Sequence, residues 1–531
     1  MTATDFESKT DLFLEWLPTV GIELSKNVKI VDSRDEHQGR SMICVNDVKE
    51  GEKLFSVPET ASLNIITGSL GKLDESYLGI LLSKVEHWHG LILTILYEWK
   101  YLGEKSKWWP YFQVLPDQFD TLIYWDKKDL DKLKPSLVLD RLGEQQSKDM
   151  YVKVLELMKT FNVADKIGEV TYDDFQRVAS WIMAYSFDKE ITAENSEVVG
   201  EEEEDDEEEE EVVEEEVEIT EDDNEDEAED EDAEDSVIEN SVNFDGVIKC
   251  MIAVADILNS DTNLVNANII YDKTGLICCA TKDIKAGEQV YNIYGNHPNS
   301  EILRRYGYVE WTGSKYDFGE VMLKNILDSL SEKYNVSAEF LDKVVEILRE
   351  DEKIKEIWDY EDVVLDSYDC YADGETIPEA ASTIQILFVL LQSSEVVKLE
   401  ESALTRLLQR IVKKCQQLLE SGRVTESVNS VWQQAVEKRL KMYPQTNPVL
   451  SEDKIKETFA KSKSDQRQLM ASCILDCERR CIEKSREGIS KQFKLLDDEK
   501  LLKNVLKRPV EEEKKKKSRI VKRVKKNRND D

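Results

Sequence analysis

The 531-residue sequence predicts an α+β protein. The sequence pattern of a strand, a Gly-Glu turn and a second strand occurs at residues 38–58 and again at 276–294. Between these segments, and again after residue 320, apolar residues recur at three- and four-residue spacing, which is typical of helices. We therefore expect one β-fold that carries a long helical insertion, followed by an all-α C-terminal domain. A chain of this length exceeds a single hydrophobic core.

The N-terminal segment KTDLFLEWLPTVGIEL, residues 9–24, has helical apolar spacing, with Asp11 as a possible N-cap. The predicted division is an N-terminal helix at 1–24, the β-fold domain at 25–312 with its insertion at about 67–245, the helical domain at 313–505 and a tail at 506–531.

The two β segments are similar in sequence. The first reads QGRSMICVNDVKEGEKLFSVPE from Gln38, and the second reads LICCATKDIKAGEQVYNIY from Leu276. Both place a Gly-Glu turn between alternating apolar stretches, as expected of short strands. The sequence therefore predicts a sheet assembled from both ends of the insertion.

The net charge of -41 is unevenly distributed. Residues 201–235 contain 27 Asp and Glu and no Lys or Arg, so the chain without them has a charge of -14 (-41 + 27). Residues 514–528 contain ten basic residues in fifteen. Such runs do not pack, and each is commonly a solvated disordered segment. Alternatively, the acidic loop, expected at 197–237, attracts basic proteins, the basic tail is a nuclear address or contacts nucleic acid, or the two pair with each other.

Metal and nucleotide sites receive little support. The nine cysteines are scattered, which favours free thiols. No stretch approaches eighteen consecutive apolar residues, so no membrane span is expected. The HWH at 87–89 lies in a helical context, and Cys473, Cys477 and Cys481 line one helix face, which favours packing over metal binding. Phosphate-binding P-loops, serine-hydrolase elbows and HExxH motifs are absent from the sequence.

The segment AVADILNSDTNLVNANIIYD, residues 253–272, is unusually rich in amides and small polar residues for a stretch beside strands. Buried amides need partners, so this segment is a candidate ligand site. Shortly after it, EQVYNIYGNHPNSEILRRYGYVEW places Tyr294 and Tyr306 twelve residues apart, each before a glycine, around a turn region that contains Asn296, Pro298 and Asn299. Core packing alone is one interpretation of the two tyrosines.

Taken in order, QGR, ADILN, YNIYG and RRYGYVE resemble the motifs of SET-domain protein-lysine methyltransferases of the class that includes the Rubisco large-subunit methyltransferase. LRRYGYVEWTGSKYDFGEV makes the resemblance strongest to the fungal ribosomal enzymes of that class. The resemblance implies a SET-domain β-fold with a helical insertion and an α-helical substrate-binding domain, and S-adenosyl-L-methionine as cofactor.

The resemblance also implies roles for individual residues, and no metal. Tyr294 would be the catalytic residue of the lysine channel and would also contact the substrate. Cofactor contacts would come from Gln38, Gly39, Arg40, Tyr185, Asn259, Ser260 and Tyr306. Substrate contacts would come from Trp108, Ser186, Asp188 and Tyr271. Ser260 stands where the family has histidine, and Tyr185 stands where many relatives have arginine.

The chemistry suits tyrosines. Methyl transfer to a neutral amine is an in-line displacement that needs alignment more than a strong base. Phenol oxygens, carbonyls and aromatic walls favour positive charge. The resemblance thus implies a lysine methyltransferase that monomethylates a large-subunit ribosomal protein, in the nucleus alone or in both the nucleus and the cytoplasm. The expected partner is a basic protein, with nucleic acid contacted only through the tail. The alternative is a SET-fold escort for basic ribosomal or histone proteins without catalysis.

Overall fold

The computed structural model describes residues 3–36, 38–190, 246–272, 275–358, 362–392, 395–444, 451–459 and 461–499. The acidic run at 201–235 and the basic tail lie outside the described residues. Among the described helices, none is both long and apolar enough to cross a membrane. The chain forms two compact units: Met1–Tyr124, Leu142–Asn296 and Arg304–Gly307 make the first, and Trp125–Arg141, His297–Leu303 and Tyr308–Asp531 make the second.

The main sheet of the first unit joins the two predicted β segments. Its four strands run antiparallel in the order β1-β4-β10-β9, and β4 pairs β10 with Phe55 opposite Cys278. Isolated bridges extend this pairing at Val48–Ile284 and Ile43–Gln289. The prediction that both ends of the insertion build one sheet is confirmed. These four strands are β1 (Glu23–Leu24), β4 (Lys53–Pro58), β9 (Ala267–Asp272) and β10 (Gly275–Ala280).

Three smaller sheets complete the first unit. β2 pairs β3, β6 and β5 flank β7, and β8 pairs β11 in parallel. The strands are β2 (Val28–Asp32), β3 (Arg40–Cys44), β5 (Ser62–Leu63), β6 (Ser186–Glu190), β7 (Val247–Ile252), β8 (Asn259–Ser260) and β11 (Tyr291–Asn292).

The insertion is helical, as predicted. Its last helix begins at a capping box in which the Thr171 hydroxyl accepts from the Asp174 N–H, while the Asp174 carboxylate accepts from the Thr171 N–H. The N-terminal helix begins at Ala3, so Asp11 lies inside it, and the N-cap prediction was wrong. The helices are α1 (Ala3–Trp16), α2 (Glu75–Lys84), α3 (His87–Leu96), α4 (Trp109–Phe112), α6 (Glu144–Thr160), α7 (Ala164–Ile167) and α8 (Tyr172–Tyr185).

The second unit is mainly helical, as predicted, but it also contains two small sheets. β12 (Phe318–Met322) pairs β13 (Ser367–Tyr371), and β14 (Arg423–Thr425) pairs β15 (Lys494–Leu496). The description "all-α" was therefore incomplete. Residues 125–141, which the sequence division kept in the insertion, cluster with the second unit.

The helices of the second unit surround one buried helix, α13. From Ala380 to Leu391 every residue of α13 is buried, as expected of a helix that is apolar on all sides. The helices are α5 (Lys127–Leu130), α10 (Leu323–Tyr334), α11 (Ala338–Glu350), α12 (Glu352–Trp358), α13 (Pro378–Leu391), α14 (Glu401–Leu419), α15 (Glu426–Leu440), α16 (Glu452–Phe459), α17 (Lys463–Lys484) and α18 (Gly488–Gln492). One further helix, α9 (Asn299–Tyr306), carries the second tyrosine.

A buried carboxyl group lies inside the second unit. Glu478 on α17 accepts hydrogen bonds from the Ser136 hydroxyl at 2.5 Å and the Tyr443 hydroxyl at 2.7 Å. Burial raises the pKa of Glu478 to about 7. The folded chain therefore retains this proton at pH values where the unfolded chain has lost it.

We expect Gly275→Ala to destabilise the main sheet. Gly275 has φ +140°, and a Cβ there would collide with the Val57 carbonyl and approach the Pro58 Cα to 2.9 Å. The free energy of unfolding should fall by roughly 1–3 kcal/mol, as in other overpacked sites. Urea denaturation measures the loss. Gly51→Ala is the control, because Gly51 also has positive φ but no atom lies within 4 Å of its added Cβ. Equal losses in the two variants would contradict the steric argument.

We expect Glu478→Gln to flatten the pH dependence of stability. The raised pKa gives stability that is complete below about pH 4.5, the ordinary value, and declines as the pH rises to about 7. Glutamine does not ionise, so the variant should gain on the order of 3 kcal/mol relative to the native chain across this window. Urea denaturation at several pH values tests this, with the exposed Glu483→Gln on the same helix as the control. Parallel pH profiles for native chain and Glu478→Gln would refute it.

Candidate active site

Tyr294 and Tyr306 lie side by side in the first unit. Their ring centroids are 4.8 Å apart, and the ring planes are inclined by 44°. The Tyr306 hydroxyl donates to the Tyr294 carbonyl at 3.3 Å, and the Tyr294 hydroxyl donates to the Leu258 carbonyl at 2.6 Å. Both side chains are half-buried. The two tyrosines therefore form a pair of fixed aromatic walls, with one phenol oriented by a carbonyl.

Backbone conformation and steric contacts explain why glycine follows each of the two tyrosines. Gly295 has φ +136° and Gly307 has φ +80°, both in the region that favours glycine. At Gly307 an added Cβ would approach the Asp120 carbonyl carbon and the Thr121 nitrogen to 2.9 Å. The chain after Tyr306 thus passes directly over the backbone at residues 120 and 121.

The ADILN segment contacts the loop of Tyr294 through strand β8. β8 pairs β11 in parallel, with Asn259 opposite Tyr291 and Ser260 opposite Asn292. The Ser260 hydroxyl accepts from the Tyr294 N–H at 3.2 Å. The serine that replaces the family histidine therefore contacts the backbone of the tyrosine loop through its side chain.

Asn259 connects the site to the QGR turn. Its side-chain amide donates to the Ser41 hydroxyl at 2.8 Å and to the Arg40 carbonyl at 3.3 Å. The Asn259 side chain thus holds the start of β3 in place.

The QGR turn offers a polar group and open space. The Gln38 amide donates to the Tyr291 hydroxyl at 3.4 Å, while its buried carbonyl oxygen has no hydrogen-bond partner among the described residues. Gly39 has φ +68°, and no atom lies within 4 Å of an added Cβ. An unsatisfied acceptor beside an open, side-chain-free turn fits a ligand that carries N–H donors, as the adenine and amino groups of S-adenosylmethionine do.

The Arg40 side chain does not face this turn. Its guanidinium donates to the Thr10 hydroxyl at 2.9 Å and the Val114 carbonyl at 3.0 Å, and it lies 3.9 Å over the Phe6 ring. Burial lowers the pKa of Arg40 to about 10. The side chain therefore anchors α1, which leaves only the Arg40 backbone for the cofactor role that the resemblance implies.

Asp256 lies in the candidate ligand segment 253–272, but the sequence reasoning gave it no individual role. One carboxylate oxygen accepts from the Tyr111 hydroxyl at 2.6 Å, and the other is buried without a partner in the described part of the chain. Burial raises the pKa of Asp256 to about 7. Its charge also raises the pKa of Tyr185, after the larger effect of burial. A signal was present in the sequence, since Asp256 is the only acid inside the apolar stretch AVADIL.

The backbone beside Asp256 is strained. Val254, a β-branched residue, has φ +76° and ψ -42°, and the Ile257 N–H donates to its carbonyl at 3.0 Å. Such a conformation is sparsely populated for valine and is found where surrounding packing imposes it, often at functional sites. Val254 is fully buried, so the core imposes this turn.

The residues assigned to the substrate groove have different positions. Ser186 begins β6, and Asp188 on the same strand is exposed and pairs with Lys249 at 2.9 Å. Tyr271 on β9 is 44% exposed. Its pKa is raised mainly by burial and also by the charge of Asp188, so Tyr271 and Asp188 lie near each other. Trp108 is wholly buried and packs against core aromatics. The structure therefore does not support Trp108 as a groove residue, because its ring is covered.

The cysteines that recur along α17 lie in the packed core. All nine cysteines are free thiols, and Cys473, Cys477 and Cys481 are buried along α17. In the described ranges, no group of three His, Cys, Asp or Glu residues is arranged to hold a metal ion.

Comparisons with known proteins agree with this geometry. No family model matches the chain. "Ribosomal lysine N-methyltransferase 4" of Saccharomyces cerevisiae is 40% identical over 96% of this chain and 98% of its own length. "N-lysine methyltransferase SETD6" of Mus musculus is 26% identical over 60% of this chain and 58% of its own.

Solved structures show the same fold. "Structure of Rubisco LSMT bound to Sinefungin and Monomethyllysine" matches with a TM-score of 0.55 and 17% identity, over 93% of this chain and 95% of that one. "Structure of Rubisco LSMT bound to AdoMet" matches with a TM-score of 0.54 and 16% identity over the same shares. The chain is 40% identical to the yeast enzyme over nearly its full length, and the ADILN segment holds its tyrosine pair. This chain therefore belongs to the SET-domain protein-lysine methyltransferases.

Proposed function

We propose that the chain transfers a methyl group from S-adenosyl-L-methionine to a lysine of a large-subunit ribosomal protein. The observation that carries the methyl-transfer chemistry is the Tyr294–Tyr306 pair with the Tyr294 hydroxyl oriented on the Leu258 carbonyl. The near full-length similarity to an enzyme named for ribosomal lysine methylation supports the substrate class. We also propose that the protein is located in the nucleus, because the basic run at 514–528 has the composition of a nuclear address.

The cofactor, when bound, supplies an electrophilic methyl group on a sulfonium centre. The chain contributes the surface around it: the backbone of the QGR turn, the open side of Gly39 and the buried Gln38 carbonyl oxygen. Asn259 keeps this turn next to β8 through its bonds to Ser41 and Arg40. The cofactor position is therefore set by the same short strand that positions Tyr294.

The tyrosine pair prepares the lysine. Two aromatic walls form a poorly solvated channel, which lowers the pKa of an entering ammonium and favours the neutral amine. The Tyr294 hydroxyl donates its proton to the Leu258 carbonyl, which fixes the direction of the O–H bond. The lone pairs of the phenol oxygen are the groups that would accept from an amine N–H or face the transferring methyl. We further propose a single methylation, because an N–H held by this oxygen is kept away from the donor.

We expect Tyr294→Phe to reduce kcat by roughly 10²-fold, the usual effect of losing one preorganised polar group at a reacting centre. Cofactor affinity should change by no more than a few-fold, because the QGR turn is untouched. Steady-state kinetics and calorimetric titration with S-adenosylmethionine measure the two effects.

Tyr151→Phe is the matched control, since the Tyr151 hydroxyl also donates to a backbone carbonyl, that of Val170 at 2.8 Å, but in the insertion. It should retain kcat. If Tyr294→Phe kept full activity at saturating cofactor, Tyr294 would not be the catalytic tyrosine.

The substrate is tested with ribosomal subunits from cells that lack the enzyme. The full chain and labelled cofactor should label one protein of the large subunit, and mass spectrometry should find one added methyl on one lysine. Tyr294→Phe should leave that protein unlabelled. Label only on small-subunit proteins or histones would refute the substrate class, and cofactor binding without any labelling would favour the escort alternative.

A further inference from the structure

The second unit contains a groove lined by residues from the ranges 137–141, 320–342 and 366–367. It lies between α10 and α11 and has a volume of about 760 Å³. Its floor is apolar and is formed by Leu137, Met322, Leu323, Leu327 and Leu341. A shallower depression continues it past Val345. We call the two together the α10–α11 groove.

The rim of this groove is acidic. The larger part is lined by five acids and two bases: Asp140, Glu320, Asp328, Asp342 and Asp366 against Arg141 and Lys324. Its extension adds Glu346 and Glu350 with Arg349.

Ion pairs neutralise only part of this charge. Arg141 pairs with Glu320 at 2.6 Å, Lys324 with Asp328 at 3.2 Å and Arg349 with Asp366 at 2.8 Å. Among the described residues, no ion pair is recorded for the other acids, which are Asp140, Asp342, Glu346 and Glu350. An apolar floor with unneutralised acids at its edge suits a basic segment that also carries apolar side chains.

The described chain ends beside the same helix. Asp498 accepts from the Ser427 hydroxyl at 2.6 Å and from the Ser427 N–H at 3.1 Å. Lys333, at the C-terminal end of α10, donates to the same hydroxyl at 3.2 Å. The segment that follows Glu499 therefore starts at one end of the helix that forms the groove.

That segment has the composition the groove requires. Residues 514–528 read KKKKSRIVKRVKKNR, with ten basic residues and with Ile520, Val521 and Val524 among them. The fifteen residues from Lys500 to Lys514 span up to about 50 Å when extended. The distance along α10 from Lys333 back to Leu323 is only about 15 Å. Length is therefore no obstacle.

We propose that the basic tail, residues 514–528, docks in the α10–α11 groove of its own chain. Its cations would face the unneutralised acids of the rim, and its apolar side chains would cover the leucine floor. Tethering supports this occupant over a free peptide, because a short linker gives an effective concentration in the millimolar range. A docked tail closes the groove to basic segments of other proteins, so tail and partner compete for one surface.

The test uses the full chain with Val524 replaced by the photoreactive residue p-benzoylphenylalanine. Irradiation should crosslink the tail to peptides from α10 or α11 within the same chain, as identified by mass spectrometry of the monomer band. The yield should fall on going from about 0.05 M to about 0.5 M NaCl, since exposed charges are screened. Crosslinks to residues 201–235, crosslinks only between chains, or none at all would overturn the proposal.

Two variants locate the contact. Asp342→Lys with Glu346→Lys should reduce the α10–α11 crosslink roughly tenfold, as expected when two exposed charges are reversed. Glu375→Lys with Glu420→Lys makes the same charge change at exposed acids outside the groove and should leave the yield unchanged. Circular dichroism confirms that both fold.

A tail variant keeps the test decisive if the groove variant fails to fold. Lys522→Ser, Arg523→Ser and Lys525→Ser in the photoreactive chain should also reduce the crosslink, without altering any described residue. An unchanged yield in this variant would overturn the proposal.

Discussion

The pairing of β4 with β10 is the constraint on which the first unit depends. It joins Pro58 to Gly275, which are 217 positions apart, across the whole helical insertion. Loop-closure entropy rises only with the logarithm of length, so even this loop costs roughly 5 kcal/mol. Burial of Phe55, Leu276 and Cys278 at the junction offsets that cost. The insertion can therefore be long without weakening the sheet, provided the two strands meet in register.

The site inherits its geometry from that register. Ile43 bridges Gln289, and the Val290 N–H donates to the Met42 carbonyl at 2.8 Å, so the QGR turn and β11 are held together. β11 in turn carries β8 beside it, and the Leu258 carbonyl then orients Tyr294. The QGR turn and Tyr294 come from opposite ends of the insertion, yet hydrogen bonds between strands hold both in place. A shift of register by one residue would reverse the faces of these strands and separate the two halves.

The sequence was informative where local chemistry decides structure. The Gly-Glu turns and alternating apolar residues predicted the two β segments, and the resemblance implied that Tyr294 and Tyr306 come together, as their rings do. It was less informative where burial decides. Trp108 and Asp256 lie in similarly apolar stretches, but only the packed core shows that the tryptophan is covered while an acid oxygen remains unsatisfied. The α10–α11 groove could not be predicted, because segments near residues 140, 323, 342 and 366 form it only after folding.

In both units, a buried acid is held by partner groups. Packed elements hold isolated acids with hydrogen-bond donors or ion-pair partners. Hydroxyl groups hold Asp256 and Glu478, whereas Lys132 and Arg467 hold Asp129. Dense runs of one sign cannot be accommodated in this way, because each carboxylate or ammonium needs its own counter-charge or water. The sequence therefore predicts that the 27 acids of 201–235 and the ten bases of 514–528, which lie outside the described residues, do not pack into a core. Charged runs of this kind can act electrostatically on basic partners and on the chain itself, and salt screens both effects.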